Sequence, residues 1–452
     1  MSNITEKFDS FLEAQLDNYI EELSDLCCQP SISAQNIGIR ETAEMVKGML
    51  EKRGLDVTIY ETGGNPVVVG RGKGKSERTL MFYNHYDVQP PEPLELWTTP
   101  AFEPTLRDGK LYARGVGDDK GEFVSRLAAF DAVKVANNGE LPCNVIFVVE
   151  GEEEIGSPNI EPFLKAHAHE LACEGCIWEF GGTDELGNPS GYLGMRGLLG
   201  IELHVRTMQL DAHSGGAHAL PNAAWRLVRV LSSLKDEEEQ ILIPGFYENI
   251  VPMTDLDREL FSKLPNTEAQ EKARYKIDSF LNGMSGQELH EAVFNPTCNI
   301  EGITTGYQGG GIKTVIPSAA SVKIDFRLVP GQVDDDLIEK LRKHLDSQGF
   351  EDVEIRKISS IAPYKASGDN PFIQLVRETA LDAHGKEMLI NPLVGGSGPI
   401  AAFGTILNTA IGFAGINYPD TRAHAPDENI VIENFLLGAK HNARILQGFG
   451  GL

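Results

Sequence analysis

Apolar positions along the chain recur in two rhythms. Residues 4–27 and 39–54 place apolar side chains at helical spacing with charges between them. Short runs rich in β-branched residues then alternate with further helices. "DVTIYE" and "PVVVGRG" read as strands, and "TLMFYNHYDV" (79–88) as a strand ending in polar residues. "DKGEFVSRLAAFDAVKVANN" (119–138) reads as an amphipathic helix, "CNVIFVVEG" as a strand, "SPNIEPFLKAHAHEL" as a helix and "EGCIWEF" as a strand. Near-continuous apolar strands joined by helices predict a mostly parallel, helix-covered sheet. In such sheets chemistry gathers at the carboxyl ends of the strands.

The rhythm changes near residue 197. "GLLGIELHVRT" alternates apolar and polar residues, as a half-exposed antiparallel strand does. "NAAWRLVRVLSSLK" follows as a helix, "TCNIEGITTG" and "ASVKIDFRLVP" as strands, "DDDLIEKLRKHLDSQG" as a helix and "DVEIRKISS" as a strand. The order βαββαβ predicts a separate α+β domain, interrupted at about 236–297 by charged, helix-like sequence. After about 366 the helix–strand alternation resumes and closes on a helix. The simplest organisation is an α/β catalytic domain split over 1–196 and 367–452, with the α+β domain inserted at 197–366.

Charge narrows the function classes. The chain of 452 residues carries 40 Lys and Arg against 66 Asp and Glu, a net charge of −26. Phosphate contacts need clustered cations, so nucleic acids and anionic membranes are not the expected partners. No run of 18 apolar residues predicts a membrane span. The charged amphipathic N-terminus does not read as a secretory leader, and the expected compartment is the cytoplasm. The six cysteines then read as reduced thiols. Cys173 and Cys176 form a lone CxxC without the second pair that a structural zinc site needs.

One stretch resists the reading of a solvated surface. "EGEEEIGS" puts four carboxylates within five residues at the end of a buried-type strand. Like charges this close repel and raise one another's pKa. Other strand ends carry similar groups. "MFYNHYDV" offers His85 and Asp87, two residues apart and so on one side of an extended chain. "LYARGVGDDKG" offers Asp118 and Asp119, "VVEGEEEIGS" offers Glu152, Glu153 and Glu154, and "CIWEFGG" offers Glu179. A loop before the last helix, "TRAHAPDENI", offers His424. Each group alone is ordinary: acidic clusters are usually solvated and a single histidine is usually packed. Their joint placement at consecutive strand ends is not. Two histidines and several carboxylates suit a pair of divalent ions, most naturally zinc, with manganese or cobalt also acceptable to so oxygen-rich a set. A carboxylate shared by both ions fits two-metal chemistry.

The motifs "NHYDVQP", "WTTPAFEPTLRDGKLYARGVGDDKG", "EGEEEIGSPN", "DAHSGG", "GGGIKTVIPS", "DFRLVPGQ", "VGGSGP" and "AHAPDE" run from about residue 80 to 430. Together they resemble the co-catalytic zinc metallopeptidases that include aminoacylase, succinyl-diaminopimelate desuccinylase, glutamate carboxypeptidase and the carnosine dipeptidases. The likeness is strongest to the carnosinase-like branch, whose extended lid the segments from "ILIPGFYENIVPMT" to "IEGITTGYQGGGIKTVIPS" resemble.

The resemblance implies a role for each site residue. Asp118 bridges two metals, His85 and Glu179 complete one site, and Glu154 and His424 complete the other. Glu153 is the general base and acid, and Asp87 orients His85. The inserted domain acts as lid and dimerisation domain. From it, His213 reaches the active site of the other subunit of a homodimer and stabilises the oxyanion, and Arg327 holds the substrate carboxylate. Gly395, Gly396 and Ser397 cradle the substrate terminus. The implied reaction is hydrolysis of a dipeptide amide by a metal-bridging hydroxide that Glu153 activates. An N-acyl amino acid amidohydrolase, a deacylase or desuccinylase, would use the same site. A non-catalytic scaffold would have lost a ligand or the base, and none is missing. A two-metal phosphodiesterase fits poorly with the acidic composition.

Overall fold

The computed structural model describes residues 2–452, which fall into two units. The first runs up to Leu193 and includes Ala366–Pro392 and Ala402–Leu452; the second comprises Gly194–Lys365 and Leu393–Ala401.

The first unit is built on a six-stranded sheet. Its order is Asp56–Tyr60, Val67–Gly72, Cys143–Glu150, Ser76–His85, Gly175–Ile177, Ala410–Gly412. Ser76–His85 pairs in parallel with both neighbours, and Gly175–Ile177 pairs in parallel with Ala410–Gly412. The remaining two pairings are antiparallel. The first two strands are joined by residues 61–66, too short a link for the crossover that a parallel pair requires. The parallel part therefore lies where the ligand-type residues end their strands.

Burial follows from the sequence of these strands. Leu80 through His85 are all inaccessible to solvent, as are Val145 and Phe147–Val149. Strands covered on both faces need no polar alternation. Phe147 stacks on Phe82 at 5.0 Å and meets Phe123 and Phe130 edge-on, tying the sheet to the helix Lys120–Ala136. Phe147→Ala would remove this contact at a cost of about 3–5 kcal/mol. The helix Lys120–Ala136 is buried around its first three turns, because Ser2–Cys28 and Ile432–Phe449 pack against it.

The second unit holds an antiparallel sheet in the order Thr297–Thr305, Ala319–Leu328, Gly197–Arg206, Glu354–Ile361. With the helices Ala223–Ser232 and Asp334–Ser347 it follows the expected βαββαβ order. Leu199, Ile201, Leu203 and Val205 share a core with Leu227, Val230, Leu337, Leu341 and Leu345. The stretch at 236–297 forms the short helices Asp255–Ser262, Glu268–Tyr275 and Gln287–Glu291. The first opens on a capping box in which Thr254 and Asp257 satisfy each other's amides. Phe261 and Phe294 of this region pack with Leu393. That contact is one of those that place Leu393–Ala401 in the second unit, although the sequence around it alternates like the first. All six cysteines are free, and all but Cys28 are buried.

Candidate active site

Asp118 is the centre of the cluster. It lies in the loop before the helix Lys120–Ala136, with a cis Asp118–Asp119 bond on its carboxyl side, and is almost fully buried. Its two oxygens face different histidines. Oδ1 lies 3.0 Å from His85 Nε2, and Oδ2 lies 2.9 Å from His424 Nε2. His424 Nε2 also meets Glu154 Oε2 at 3.0 Å. Ligand-type atoms of Asp118, Glu154 and His424 all lie within 4.8 Å of one another. Glu179 is buried in the same region, and its Oε2 has no hydrogen-bond partner.

Each of these residues is delivered by a strand end or by the loop that follows. His85 closes the central strand, in register with Glu150. Glu153 and Glu154 lie in the turn Glu153–Ile155 after Cys143–Glu150, and Glu179 follows Gly175–Ile177 by two residues. His424 sits in a loop where it, Arg422 and Asp427 all adopt left-handed backbone, at φ 63°, 58° and 58°. Such conformations cost side-chain-bearing residues about 1–2 kcal/mol each, and functional sites are where they collect.

Asp87 has more contacts than its sequence neighbours suggest. His85 Nδ1 lies 3.0 Å from the Asp87 backbone carbonyl and 3.5 Å from its carboxylate. The same carboxylate accepts the amides of Glu153 and Glu154 at 3.2 and 3.0 Å. It therefore ties the His85 strand to the turn that carries both glutamates. Gln89 adds a second tie by donating to Glu154 Oε2 at 2.9 Å. Glu152 is turned away from the cluster, accepting from the Asn65 amide at 2.9 Å and from Asn159 at 2.8 Å.

Electrostatics in the cluster are set by burial and by neighbouring charge. Burial alone would raise Asp118, but the hydrogen bonds from His424 and His85 prevail and hold it well below the usual carboxylate range. Hydrogen bonds to Asp118 and then to Glu154 push His424 up to about 10. Burial pushes Glu153 up to about 7; His85 opposes this, and Asp118, Glu154 and Asp87 add to it. Burial and then Glu153 raise Glu179 far above its ordinary value. So many carboxylates around two imidazoles call for added positive charge. Two imidazole nitrogens, a carboxylate offering one oxygen to each, Glu154 and the unpartnered Glu179 oxygen form a donor set that fits two divalent cations.

Three further residues shape the site. Glu428 is fully buried and accepts from Arg114 Nη1 at 2.7 Å, Gly115 N at 2.9 Å, Gly117 N at 2.9 Å and Asp118 N at 3.1 Å. Arg126, also fully buried, donates to the Tyr83 carbonyl at 2.6 Å and to the carbonyls of Trp178 and Glu179. It thereby clamps the ends of the strands that carry His85 and Glu179. Asp119 accepts from Asn84 at 2.6 Å and from the His85 amide at 3.1 Å. Glu428 lies inside the "AHAPDE" motif, yet nothing in sequence marks it as a partner for a loop 310 residues earlier.

The sequence profile of peptidase family M20/M25/M40 matches residues 81–448. The chain belongs to that family. The metallopeptidase reading of the motifs therefore holds. The chain is 26% identical over 464 residues to the Cys-Gly metallodipeptidase dug1 of Schizosaccharomyces pombe, covering 96% of both chains. It is 24% identical to the Beta-Ala-His dipeptidase of Rattus norvegicus, covering 97% of this chain and 94% of the relative. Among solved structures it resembles the M20 family metallo-carboxypeptidase Sso-CP2 from Sulfolobus solfataricus. The TM-score is 0.83 at 34% identity, over 96% of this chain and 99% of the other. No helix among the described residues is long and apolar enough to cross a membrane.

The other site residues read from the sequence lie in the second unit. His213 is exposed at the end of a two-residue strand; its Nδ1 accepts from the Gly215 amide at 3.0 Å and its Nε2 lies 3.4 Å from Thr314 Oγ1. Arg327 donates to Ser397 Oγ at 3.0 Å and lies 3.6 Å from Asp325. Gly395 and Gly396 are exposed, and a Cβ at Gly396 would only come into ordinary contact with the Met195 side chain, at 3.4 Å.

Proposed function

We propose that this peptidase is a dipeptidase using two divalent metal ions, with zinc as the physiological choice, and that it works in the cytoplasm as a homodimer formed through residues 197–366. The observation that carries the metal assignment is Asp118, with one carboxylate oxygen on each of two histidines. His85, Asp118 and Glu179 would hold one ion, and Asp118, Glu154 and His424 the other. The dipeptide assignment draws on the likeness to the dipeptidases of Schizosaccharomyces pombe and Rattus norvegicus.

Bound there, two such ions supply Lewis acidity toward an amide carbonyl and bring the pKa of water toward neutrality. The residues of the chain do the rest. Glu153, in the turn beside Glu154 and facing the His85–Asp118 cluster, is placed to take a proton from water and return it to the leaving amine. Asp87 holds Glu153 and Glu154 in place through their amides. Arg327, with Ser397 beside it, binds the substrate carboxylate, and Gly395 and Gly396 let its terminus approach the backbone. His213 stabilises the oxyanion in the partner subunit.

The test is a panel of dipeptides and N-acyl amino acids, given to chelator-stripped protein with and without zinc or manganese, and to Glu153→Gln. Metal-dependent dipeptide cleavage that Glu153→Gln abolishes is the expected result. Cleavage confined to N-acyl amino acids would move the function to a deacylase with the same site. Full activity in Glu153→Gln would overturn the mechanism.

A further inference from the structure

Buried arginines in this protein hold acids. Arg53 pairs with Glu22 and Asp131, Arg114 with Glu428, and Arg444 with Asp9 and Asp382. Arg126 bonds only carbonyls, but the charges of Asp119 and Glu122 lie beside it. Among the described residues Arg196, like Arg126, is in no ion pair, and the one acid acting on it, Asp325, is shared with Arg327. It is 8% exposed. Its Nη2 donates to the carbonyls of Asn295 at 2.8 Å and Arg327 at 3.3 Å and approaches Thr297 Oγ1 at 3.4 Å; its Nε is buried without a partner. A buried cation left in this state is costly unless an anion joins it.

Its surroundings indicate where an anion would come from. The Arg196 amide donates to the Val394 carbonyl at 3.2 Å, so Arg196 adjoins the segment that continues into Gly395, Gly396 and Ser397. Arg327 reaches the same segment through Ser397 Oγ. Among the described residues, Asp325 is the carboxylate that acts on Arg196 and also lies beside Arg327. It already takes Asn299 Nδ2 at 2.7 Å, and Arg327 Nε stands 3.6 Å away. Two guanidiniums and one carboxylate leave one positive charge uncompensated. Burial, and next the charge of Arg327, pull Arg196 down to about 10, so it remains a cation at neutral pH.

We propose that Arg196 and Arg327 form a two-guanidinium clamp beside Gly395–Ser397, and that Arg196 makes the site require a full negative charge on the terminal group of the substrate. The proposal rests on the reading that Arg327 faces the substrate carboxylate. A neutral terminal amide would leave the surplus charge buried, whereas a carboxylate cancels it.

Zinc-loaded Glu153→Gln protein, which would not consume its ligands, can be titrated by calorimetry with a dipeptide and with its C-terminal amide. An N-acyl amino acid and its amide would be titrated in parallel. The carboxylate form should bind roughly tenfold to hundredfold more tightly, the range of a hydrogen-bonded charge. Adding Arg196→Gln should collapse that ratio by about tenfold or more, whereas Arg196→Lys, which keeps the charge, should retain part of it. An unchanged ratio in Arg196→Gln, or equal weakening of acid and amide, would overturn the proposal; so would a parent protein that does not distinguish acid from amide. Discrimination confined to the N-acyl pair would refute the dipeptide reading and still support the role of Arg196.

Discussion

Glu428→Gln is the sharpest perturbation available at the proposed metal site, because it changes neither size nor any proposed ligand. One carboxylate oxygen of Glu428 accepts from Arg114 Nη1 and Gly115 N, and the other from Gly117 N and Asp118 N. Glutamine keeps one acceptor and turns the other into a donor. In the gentler orientation its carbonyl serves Arg114 and Gly115, and its NH2 faces the amides of Gly117 and Asp118. Two buried donors then lose their acceptor, at about 1–3 kcal/mol each. Either orientation removes the negative charge that Arg114 faces, and in the opposite one Arg114 and Gly115 also lose their acceptor. Relaxation will follow the first course, and the loop that moves is the one presenting Asp118. Metal affinity should fall about tenfold to hundredfold, as for other losses just outside a ligand shell. A chelator competition with zinc reads this directly, and circular dichroism reports whether the variant is folded. Two metals bound with unchanged affinity by folded Glu428→Gln would refute the reasoning.

Two further outcomes are expected. His441 is buried, with Nε2 set 2.9 Å from the Val376 carbonyl; burial lowers it to about 3 and lowers its neighbour His384 to about 4. Both lie below their unfolded value, so the unfolded chain binds more protons between those limits. Stability is then full above about pH 6.5 and falls as the pH drops toward 4 and 3; the acid slope of the thermal midpoint should be shallower in His441→Gln, and an unaltered slope would count against a neutral His441. His213→Ala should lower kcat while both metals stay bound, and unchanged turnover would remove His213 from the mechanism.

The strands and the ligand-type residues at their ends were legible because both signals are periodic. A buried strand announces itself over five or more residues, and the first polar group past it marks its carboxyl end. His85, Glu154 and Glu179 are found that way, and Asp118 and His424 in the loops beside them. The βαββαβ order of the second unit was legible for the same reason. What sequence did not reveal acts through single contacts. Arg126 reads as one polar residue on a helix, yet it holds the carbonyls of two strands. Glu428 reads as one acid in a loop, yet it accepts four donors from a distant turn. Leu393–Ala401 joins the second unit through Leu393 meeting Phe261 and Phe294, Val394 bridging to Met195 and Ser397 accepting from Arg327, single contacts that no periodicity encodes. The antiparallel edge was set by the brevity of residues 61–66, a length rather than a pattern.

The Ala366 amide donates to the Leu193 carbonyl at 2.7 Å. These two residues flank the 172 residues of Gly194–Lys365, so the ends left by that insertion are already neighbours. To the first unit, a folded insert of any length is equivalent to a tight turn. The entropic penalty for closing the gap is then independent of how much chain has been added. Elaboration such as the helices at 255–291 can then accumulate within the insert without widening the gap that the first unit has to close. The architecture thus separates what is free to diverge from what must stay fixed.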